Sequence, residues 1–283
     1  MSFKNNLLSK YKNGSIIEKL IYINILVFVV TLLTSVFKDL FKVENNFIVS
    51  WFALEDNLDS LILKPWSVVS YGFLHADFVH LLLNLITLYF IGNLFIEYFK
   101  QKQLITFYLV GTFFGGLVFL ISHNYFPLFQ GQNSTLVGAS AGISAIFIGI
   151  ATYIPNYQLK IRFIGFVKLW YLALIWVVLD VLALSGSNAG GHFAHLGGAL
   201  FGFLYVKKAT DNNTSIWEKF MSFITPKKTA LKTVYKSKKK KQKSTKNTNL
   251  NQQQINTILD KISASGYDTL TKEEKEFLFK QGK

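Results

Sequence analysis

The stretch Val137–Ala145 reads VGASAGISA and contains a serine that could act as a nucleophile. GASAG fits the pattern G-x-S-x-G, which in soluble hydrolases marks a reactive serine on a sharp turn between a strand and a helix. The same residues would also suit a tightly packed helix, in which Ser140 is only a small packing residue. The pattern alone does not decide between these two interpretations. The sequence of the surrounding segments is needed to distinguish them.

Three further polar residues could complete such chemistry. His195 lies in FAHLGGALFG, and His80 and Asn84 lie one helical turn apart in VHLLLNL. A histidine beside a serine hydroxyl can act as its general base, and nearby N–H donors can stabilise an oxyanion. Taken alone, each residue also has an ordinary explanation, such as backbone hydrogen bonding, an interfacial position or interhelical hydrogen bonding.

The elements that must position these residues are apolar helices. The chain is 51% apolar and only 16% charged, with a mean hydropathy of +0.31, whereas about a quarter of the residues in a soluble domain are charged. The absence of cysteine excludes disulfides and thiol catalysis. A membrane-spanning helix needs about 20 mainly apolar residues. Six segments approach this length, the last being short: residues 18–37, 79–98, 103–122, 139–155, 167–184 and 193–206.

The loop charges predict the orientation of these segments. Lysine or arginine precedes the first segment, follows the second, separates the fourth from the fifth and follows the sixth, whereas residues 123–138 and 185–192 contain neither. Positively charged loops remain in the cytoplasm, so both termini are predicted to be cytoplasmic. The first segment has no cleavage pattern and is predicted to be a retained helix. The connection 38–78 is rich in aromatic residues, which favours the membrane interface.

This topology places the four polar residues at a similar depth near the outer face, because the second, fourth and sixth segments all enter the membrane from that side. The fourth and sixth segments also carry small residues at four-residue spacing, which lets two helices approach closely in lipid. These small residues are Ala141, Ala145 and Gly149 on the fourth segment, and Gly198 and Gly202 on the sixth. His195 shares a face with the two glycines. A close contact would bring its ring to the Ser140 hydroxyl.

Together these motifs resemble the rhomboid family of intramembrane serine proteases. The resemblance lies in G-A-S at 138–140, A-H-L-G-G-x-x-x-G at 194–202 and H-x-x-x-N at 80–84, with WSVVSYGFLH at 66–75 similar to the family's half-embedded first loop. It covers about residues 15–208. It implies an all-α polytopic membrane protein with six transmembrane helices in the rhomboid fold, a long interfacial first loop and a cytoplasmic tail.

The resemblance also implies a mechanism and a location. Ser140 would be the nucleophile, His195 the general base and acid, and His80, Asn84 and the Ser140 backbone N–H the oxyanion hole. The substrates would be single-span transmembrane proteins, cleaved near the outer leaflet of a bacterial inner membrane. The protein would be multi-pass with both termini cytoplasmic. No metal or organic cofactor is implied.

Three positions depart from the family's common pattern. Ala141 replaces the last glycine of G-x-S-G, and Ser67 stands where arginine is frequent. Ser144 lies one turn after Ser140, where the family often has an aromatic residue that stacks on the catalytic histidine. The ring of His195 is therefore expected to be held differently.

Three other ionisable residues near the outer face have less specific interpretations. His75 and His192 are expected to be loop or interfacial residues outside the catalytic set. Asp180, in the fifth segment, is expected to face a loop or a substrate gate, and the alternative is that it joins the site as a third member.

The sequence predicts three regions: a membrane core at residues 1–208, a basic disordered linker at 209–254 and a small two-helix appendage at 255–283. Thr271 and Glu274 have the spacing of a helix capping box. The lysine run Lys238–Lys241 is expected to be attracted to anionic membrane lipid and not to nucleic acid.

Two other function classes remain open. A catalytically inactive rhomboid-like protein would bind transmembrane clients without cutting them, and the complete set of Ser140, His195, His80 and Asn84 argues against it. A small transporter or channel would use the polar cluster as a pathway, but the internal repeats common in transporters are not found in this sequence.

Overall fold

A computed structural model describes residues 14–186, 188–210 and 247–281. The described residues form two compact units, one ending at residue 210 and one beginning at residue 247. In chain order, the α-helices of the first unit are α1 (Ile16–Phe41), α2 (Phe47–Phe52), α3 (Leu58–Leu63), α4 (Ser67–Ser70), α5 (Phe78–Tyr98), α6 (Gln101–Tyr125), α7 (Ser140–Tyr153), α8 (Leu169–Leu182) and α9 (Ala189–Thr210). Each of the six predicted apolar segments therefore lies largely or wholly within a helix.

Three of these helices, α1, α5 and α6, are long and apolar enough to cross a membrane. Helices α7 and α8 are also apolar but have only 14 residues each. The described residues thus provide three candidate spans by length and composition, and the count of six spans stays a prediction.

Helix α7 lies at the centre of the first unit. All its residues from Ala141 to Ala151 are buried, and its main neighbours are α9 and α6. Helix α8 is the opposite case, because only Leu169 and Asp180 are buried among its residues. Such a difference is expected when one helix is surrounded by protein and the other presents most of its surface to lipid.

Small residues allow α7 and α9 to pack at backbone distance. A Cβ atom on Gly198 would overlap the carbonyl oxygen of Ala141, and one on Gly202 would overlap the carbonyl oxygen of Ala145. The close contact predicted from the small-residue faces is therefore confirmed. On its other side α7 meets α6, where a Cβ on Gly142 would lie 2.6 Å from the carbonyl oxygen of Tyr108.

The first unit also contains two small antiparallel sheets, so the all-α prediction omitted a minor feature. Strand β1 (Leu54–Glu55) pairs with β2 (Thr135–Leu136), and β3 (Gln158–Ile161) forms a hairpin with β4 (Gly165–Lys168). The first sheet matters for the site, because it ties the connection after α1 to the segment that enters α7.

Side-chain interactions order this first connection. The rings of Trp51 and Trp66 are stacked, with 6.1 Å between their centroids. The Trp66 Nε1–H also donates to the Trp51 carbonyl oxygen at 2.8 Å. Hydrogen bonds from Ser60 and then Lys64 hold the pKa of Glu55 below its usual value. A lowered carboxyl pKa means that these contacts stabilise the fold above the usual pKa of glutamate, and that this contribution is lost as acid protonates Glu55.

The second unit consists of helices α10 (Asn247–Ser265) and α11 (Lys272–Gln281), joined through a short 3₁₀ turn. The capping box predicted at the start of α11 is present: Glu274 N–H donates to Thr271 Oγ1, and Thr271 N–H donates to Glu274 Oε2. Helix α10 begins within the range predicted as linker, and residues 211–246 of that linker lie outside the described residues. The boundaries at 208 and 254 stay predictions.

Candidate active site

Ser140 is the first residue of α7 and follows a short strand and a glycine turn. Gly138 has a φ of +133°, a conformation that residues with a Cβ rarely adopt, and its N–H donates to the Tyr71 carbonyl at 3.0 Å. A Cβ on Gly138 would also lie 2.9 Å from the ring of His80. Glycine is therefore needed here both for the turn and for the close approach of His80.

His195, in the second turn of α9, points its ring at Ser140. The Nε2 atom of His195 lies 2.7 Å from the Oγ atom of Ser140, which is a short hydrogen bond. The packing of α7 on α9 at Gly198 positions this contact. A neutral imidazole nitrogen at this distance can accept the hydroxyl proton as the oxygen attacks an electrophile.

His80 and Asn84 face the same space. A cavity of about 490 Å³ is lined by Ser140, His195, His80 and Asn84, together with Trp176 of α8. The side-chain Nδ2 of Asn84 donates to the His80 carbonyl at 2.9 Å, within its own helix. Asp77 begins this helix as its N-cap, accepting from the His80 N–H at 2.8 Å. The structure thus brings all four predicted residues to one cavity.

Asp180 and His192, which the sequence analysis expected outside the catalytic set, lie next to His195 in the structure. Asp180 Oδ1 accepts from His195 Nδ1 at 2.8 Å and from His192 Nδ1 at 2.7 Å. Asp180 is only 5% exposed, so the expectation that it faces a loop or a gate is wrong. An available signal was the presence of a lone acid in an otherwise apolar helix, because such residues are costly in a membrane and mark functional sites.

The aromatic residue beside His195 comes from α8. Trp176 lies 6.3 Å from His195 between ring centroids, with the two planes inclined by 39°. Its Nε1–H donates to the hydroxyl of Ser144 at 3.1 Å. Ser144, which stands where the family often has an aromatic residue, therefore accepts a hydrogen bond from an aromatic residue of the neighbouring helix.

A second buried histidine lies behind His80. His75 is 4% exposed, its ring centroid is 5.1 Å from that of His80, and neither ring nitrogen has a hydrogen-bond partner among the described residues. Burial, and then the proximity of His80, lower the pKa of His75 to about 4. A neutral imidazole there adds no positive charge beside the cavity at pH 7.

One group of side chains in the described part of the chain has the composition of a metal site. The candidate ligand atoms of Asp180, His192 and His195 lie within 4.8 Å of one another. In the structure both imidazoles direct their Nδ1 atoms at one carboxylate oxygen at hydrogen-bond distances. The arrangement is that of two hydrogen bonds to a shared acceptor.

The positions of His80 and Asn84 lead to a prediction about transition-state stabilisation. His80→Ala and Asn84→Ala should each lower kcat for a transmembrane substrate by about 10²–10³ with little change in KM, because an oxyanion-hole donor acts mainly on the transition state. The measurement is steady-state cleavage in detergent.

Asn93 provides a matched control on the same helix. Its side chain also donates to the carbonyl four residues earlier, at 2.6 Å from Tyr89 O, but it does not line the cavity. Asn93→Ala should leave kcat within a few-fold of the wild type. Unchanged kcat in both His80→Ala and Asn84→Ala would assign these two residues to helix packing.

The fold and the site together define a helical membrane protein with a hydrogen-bonded serine–histidine pair in a polar cavity. The chain belongs to the rhomboid family, because a sequence model of the Rhomboid domain matches residues 63–210, more than half of the chain. A second match covers residues 236–280 and belongs to a family of unknown function, DUF6576.

Individual relatives agree with this assignment. The chain is 31% identical over 167 residues to RHOMBOID-like protein 12, mitochondrial, of Arabidopsis thaliana. This match covers 55% of the chain and 48% of the relative. It is 27% identical over 138 residues to presenilin-associated rhomboid-like protein A, mitochondrial, of Danio rerio, covering 48% and 35%. It is 26% identical over 175 residues to rhomboid protease GlpG of Yersinia pseudotuberculosis, covering 59% and 55%. The chain thus spans about half the length of the relatives that it matches.

Proposed function

We propose that the protein is an intramembrane serine endopeptidase that cleaves the transmembrane segments of single-span membrane proteins near the outer leaflet. The observation that carries this proposal is the 2.7 Å contact between Ser140 Oγ and His195 Nε2 at the wall of a polar cavity. The similarity to a protein named rhomboid protease supports it. Peptide bonds in an intact helix are shielded by their hydrogen bonds, so the substrate segment would have to unwind at the site.

In the first half of the reaction, Ser140 Oγ attacks the carbonyl carbon of the scissile bond while His195 Nε2 takes the hydroxyl proton. The carbonyl oxygen becomes an oxyanion. It would accept hydrogen bonds from the Ser140 backbone N–H and from side-chain N–H groups of His80 and Asn84. The N-terminus of α7 adds partial positive charge at the same place, because the helix dipole points its positive end there.

In the second half, the tetrahedral intermediate collapses and His195 returns the proton to the departing amine nitrogen. This leaves an ester between Ser140 and the N-terminal part of the substrate. A water molecule then attacks the ester carbonyl while His195 takes its proton, and the proton passes back to Ser140 Oγ as the carboxylic acid leaves. At the end of the cycle Ser140 and His195 are back in their starting protonation states, and one water has been consumed.

The membrane arrangement completes the proposal. Six spans with both termini in the cytoplasm of a bacterium would place the cavity toward the outer face of the inner membrane. Residues 1–208 would form the catalytic core, and the lysine-rich residues 209–254 would tether the helix pair of 255–283. Anionic lipid would attract the lysines by about 1 kcal/mol each near the surface. The charge pattern of the loops supports this orientation.

A fluorophosphonate probe tests the proposed activity directly, because it reacts with an activated serine and needs no knowledge of the substrate. The purified full-length protein should be labelled at Ser140, as mapped by peptide mass spectrometry, and should cleave a single-span model substrate. A wild-type protein that is folded but neither labelled nor proteolytic would instead support the inactive, client-binding class.

A further inference from the structure

We propose that Asp180 is a positioning residue for His195, which it orients within the Ser140–His195 pair. This inference rests on the proposed protease function and adds a residue to its machinery. It starts from the chain of contacts Ser140 Oγ to His195 Nε2 at 2.7 Å and His195 Nδ1 to Asp180 Oδ1 at 2.8 Å.

Asp180 determines the tautomer of His195. A carboxylate oxygen can only accept, so the Nδ1 atom of His195 carries the proton that is donated to Asp180. The neutral ring then has a lone pair at Nε2, which is the atom that faces the Ser140 hydroxyl. Asp180 therefore selects the tautomer that can act as a base, and it stabilises the imidazolium formed when the proton arrives.

The burial of Asp180 also favours a role at His195. The side chains of α8 are exposed or half-buried, except those of Asp180 and Leu169, which are buried. A buried carboxylate is costly unless N–H groups compensate for the lost water. Oδ1 receives two such donors, while Oδ2 is buried and has no partner among the described residues. The compensation is concentrated on the oxygen that faces His195.

Helix α8 supplies two side chains that contact the ring of His195. Trp176 and Asp180 are four residues apart and therefore lie on one face of the helix. Trp176 flanks the His195 ring, and its hydrogen bond to Ser144 ties that face of α8 to α7. With a serine at position 144, α7 offers no aromatic ring there, and α8 performs the orienting role.

His192 adds a second restraint on the carboxylate, beside the contact with His195. Its ring lies 5.5 Å from that of His195 and nearly perpendicular to it, and its Nδ1 atom donates to the same Oδ1. Two imidazoles one turn apart on α9 therefore bracket a single oxygen atom. This leaves the carboxylate little freedom to rotate away from His195.

Asp180→Asn tests the proposal by kinetics. The amide is isosteric but no longer forces the proton onto Nδ1, so kcat and the rate of fluorophosphonate labelling should fall by about 10²–10⁴ while KM stays within a few-fold. Val178→Thr, an isosteric change at an exposed position of the same helix, should keep wild-type kinetics. His192→Gln should lower kcat far less than Asp180→Asn, because it leaves the contact between Asp180 and His195 in place.

A structural role would give a different pattern. If Asp180 only fastens α8 to α9, then Asp180→Asn and His192→Gln should lower the melting temperature and kcat in parallel, and that result would overturn the proposal. Equal kcat values for an active wild type and for the Asp180→Asn variant would also overturn the proposal. Loss of activity with EDTA and its recovery with Zn²⁺ would make Asp180 a metal ligand and would also overturn it.

Nitrogen NMR of protein labelled with ¹⁵N-histidine supplies a readout that does not depend on proteolysis. The chain has five histidines, and a His195→Gln variant assigns the signal. The wild type should show His195 protonated at Nδ1, and Asp180→Asn should shift the population toward the Nε2-protonated form. The Nδ1 form in both proteins would refute the positioning role even if the protease function holds. The expected shift in a protein without activity would retain the positioning role and reject the protease.

Discussion

Replacement of Ser140 by alanine is expected to lower kcat for a transmembrane substrate by about 10⁴–10⁶. The change removes the proposed nucleophilic oxygen, and it deletes this single atom from a half-buried position at a helix start. The protein should therefore remain folded and inserted. The measurement is single-turnover cleavage, with the melting temperature taken on the same preparation.

The serine–histidine pair sets two further requirements for this experiment. His195→Ala should cause a similar loss, and the double variant should be no worse than either single one, because residues that act as a unit are not additive. Ser185→Ala, at an exposed serine in the connection between α8 and α9, should behave as the wild type. A Ser140→Ala protein with near-wild-type kcat would refute the proposed nucleophile.

Gly198→Val is expected to lower kcat strongly without touching any reacting group. A single Cβ at this position already overlaps the carbonyl oxygen of Ala141, so the larger valine must push α9 away from α7. Hydrogen bonding between Ser140 and His195 fails when the donor–acceptor distance grows by about 1 Å. We expect a loss of at least about 10²-fold in kcat together with a lower melting temperature.

The control for this variant is Leu200→Val on the same helix. Leu200 is 53% exposed, so the substitution changes side-chain volume away from the α7 contact and should have little effect on kcat. Gly198→Ala should already be impaired, since its Cβ is the atom that overlaps. Normal cleavage by both Gly198 variants would contradict the close packing of α7 and α9 as the device that sets the site.

The features that could be predicted from the sequence are those encoded locally. The six apolar segments follow from hydropathy, and the contact between α7 and α9 follows from small residues at four-residue spacing. The approach of His195 to Ser140 could be expected because Gly198 lies one turn from that histidine. Each of these signals lies within a single segment and survives an uncertainty of one or two residues in the helix bounds.

The contact between Asp180 and His195 could not be predicted in the same way. Successive residues on a helix are rotated by about 100°, so the face that Asp180 presents depends on the rotation of α8 about its axis. That rotation is set by contacts such as the one between Trp176 and Ser144, which joins residues far apart in sequence. The pairing of β1 with β2 could not be predicted for a related reason, because strands of two residues are too short to show an alternating pattern in the sequence.

The shortness of α7 has a consequence for the supply of water. Its 14 residues give a length of about 21 Å, less than the roughly 30 Å of a bilayer's hydrocarbon core. A reactive group at the end of such a helix would lie below the membrane surface, yet hydrolysis consumes one water per bond. The cavity of about 490 Å³ at Ser140 has room for on the order of ten water molecules, at about 30 Å³ each. Hydrolysis of the acyl intermediate would then use water held in this cavity. The rate of hydrolysis would depend on how quickly new water enters the cavity while the substrate occupies the entrance.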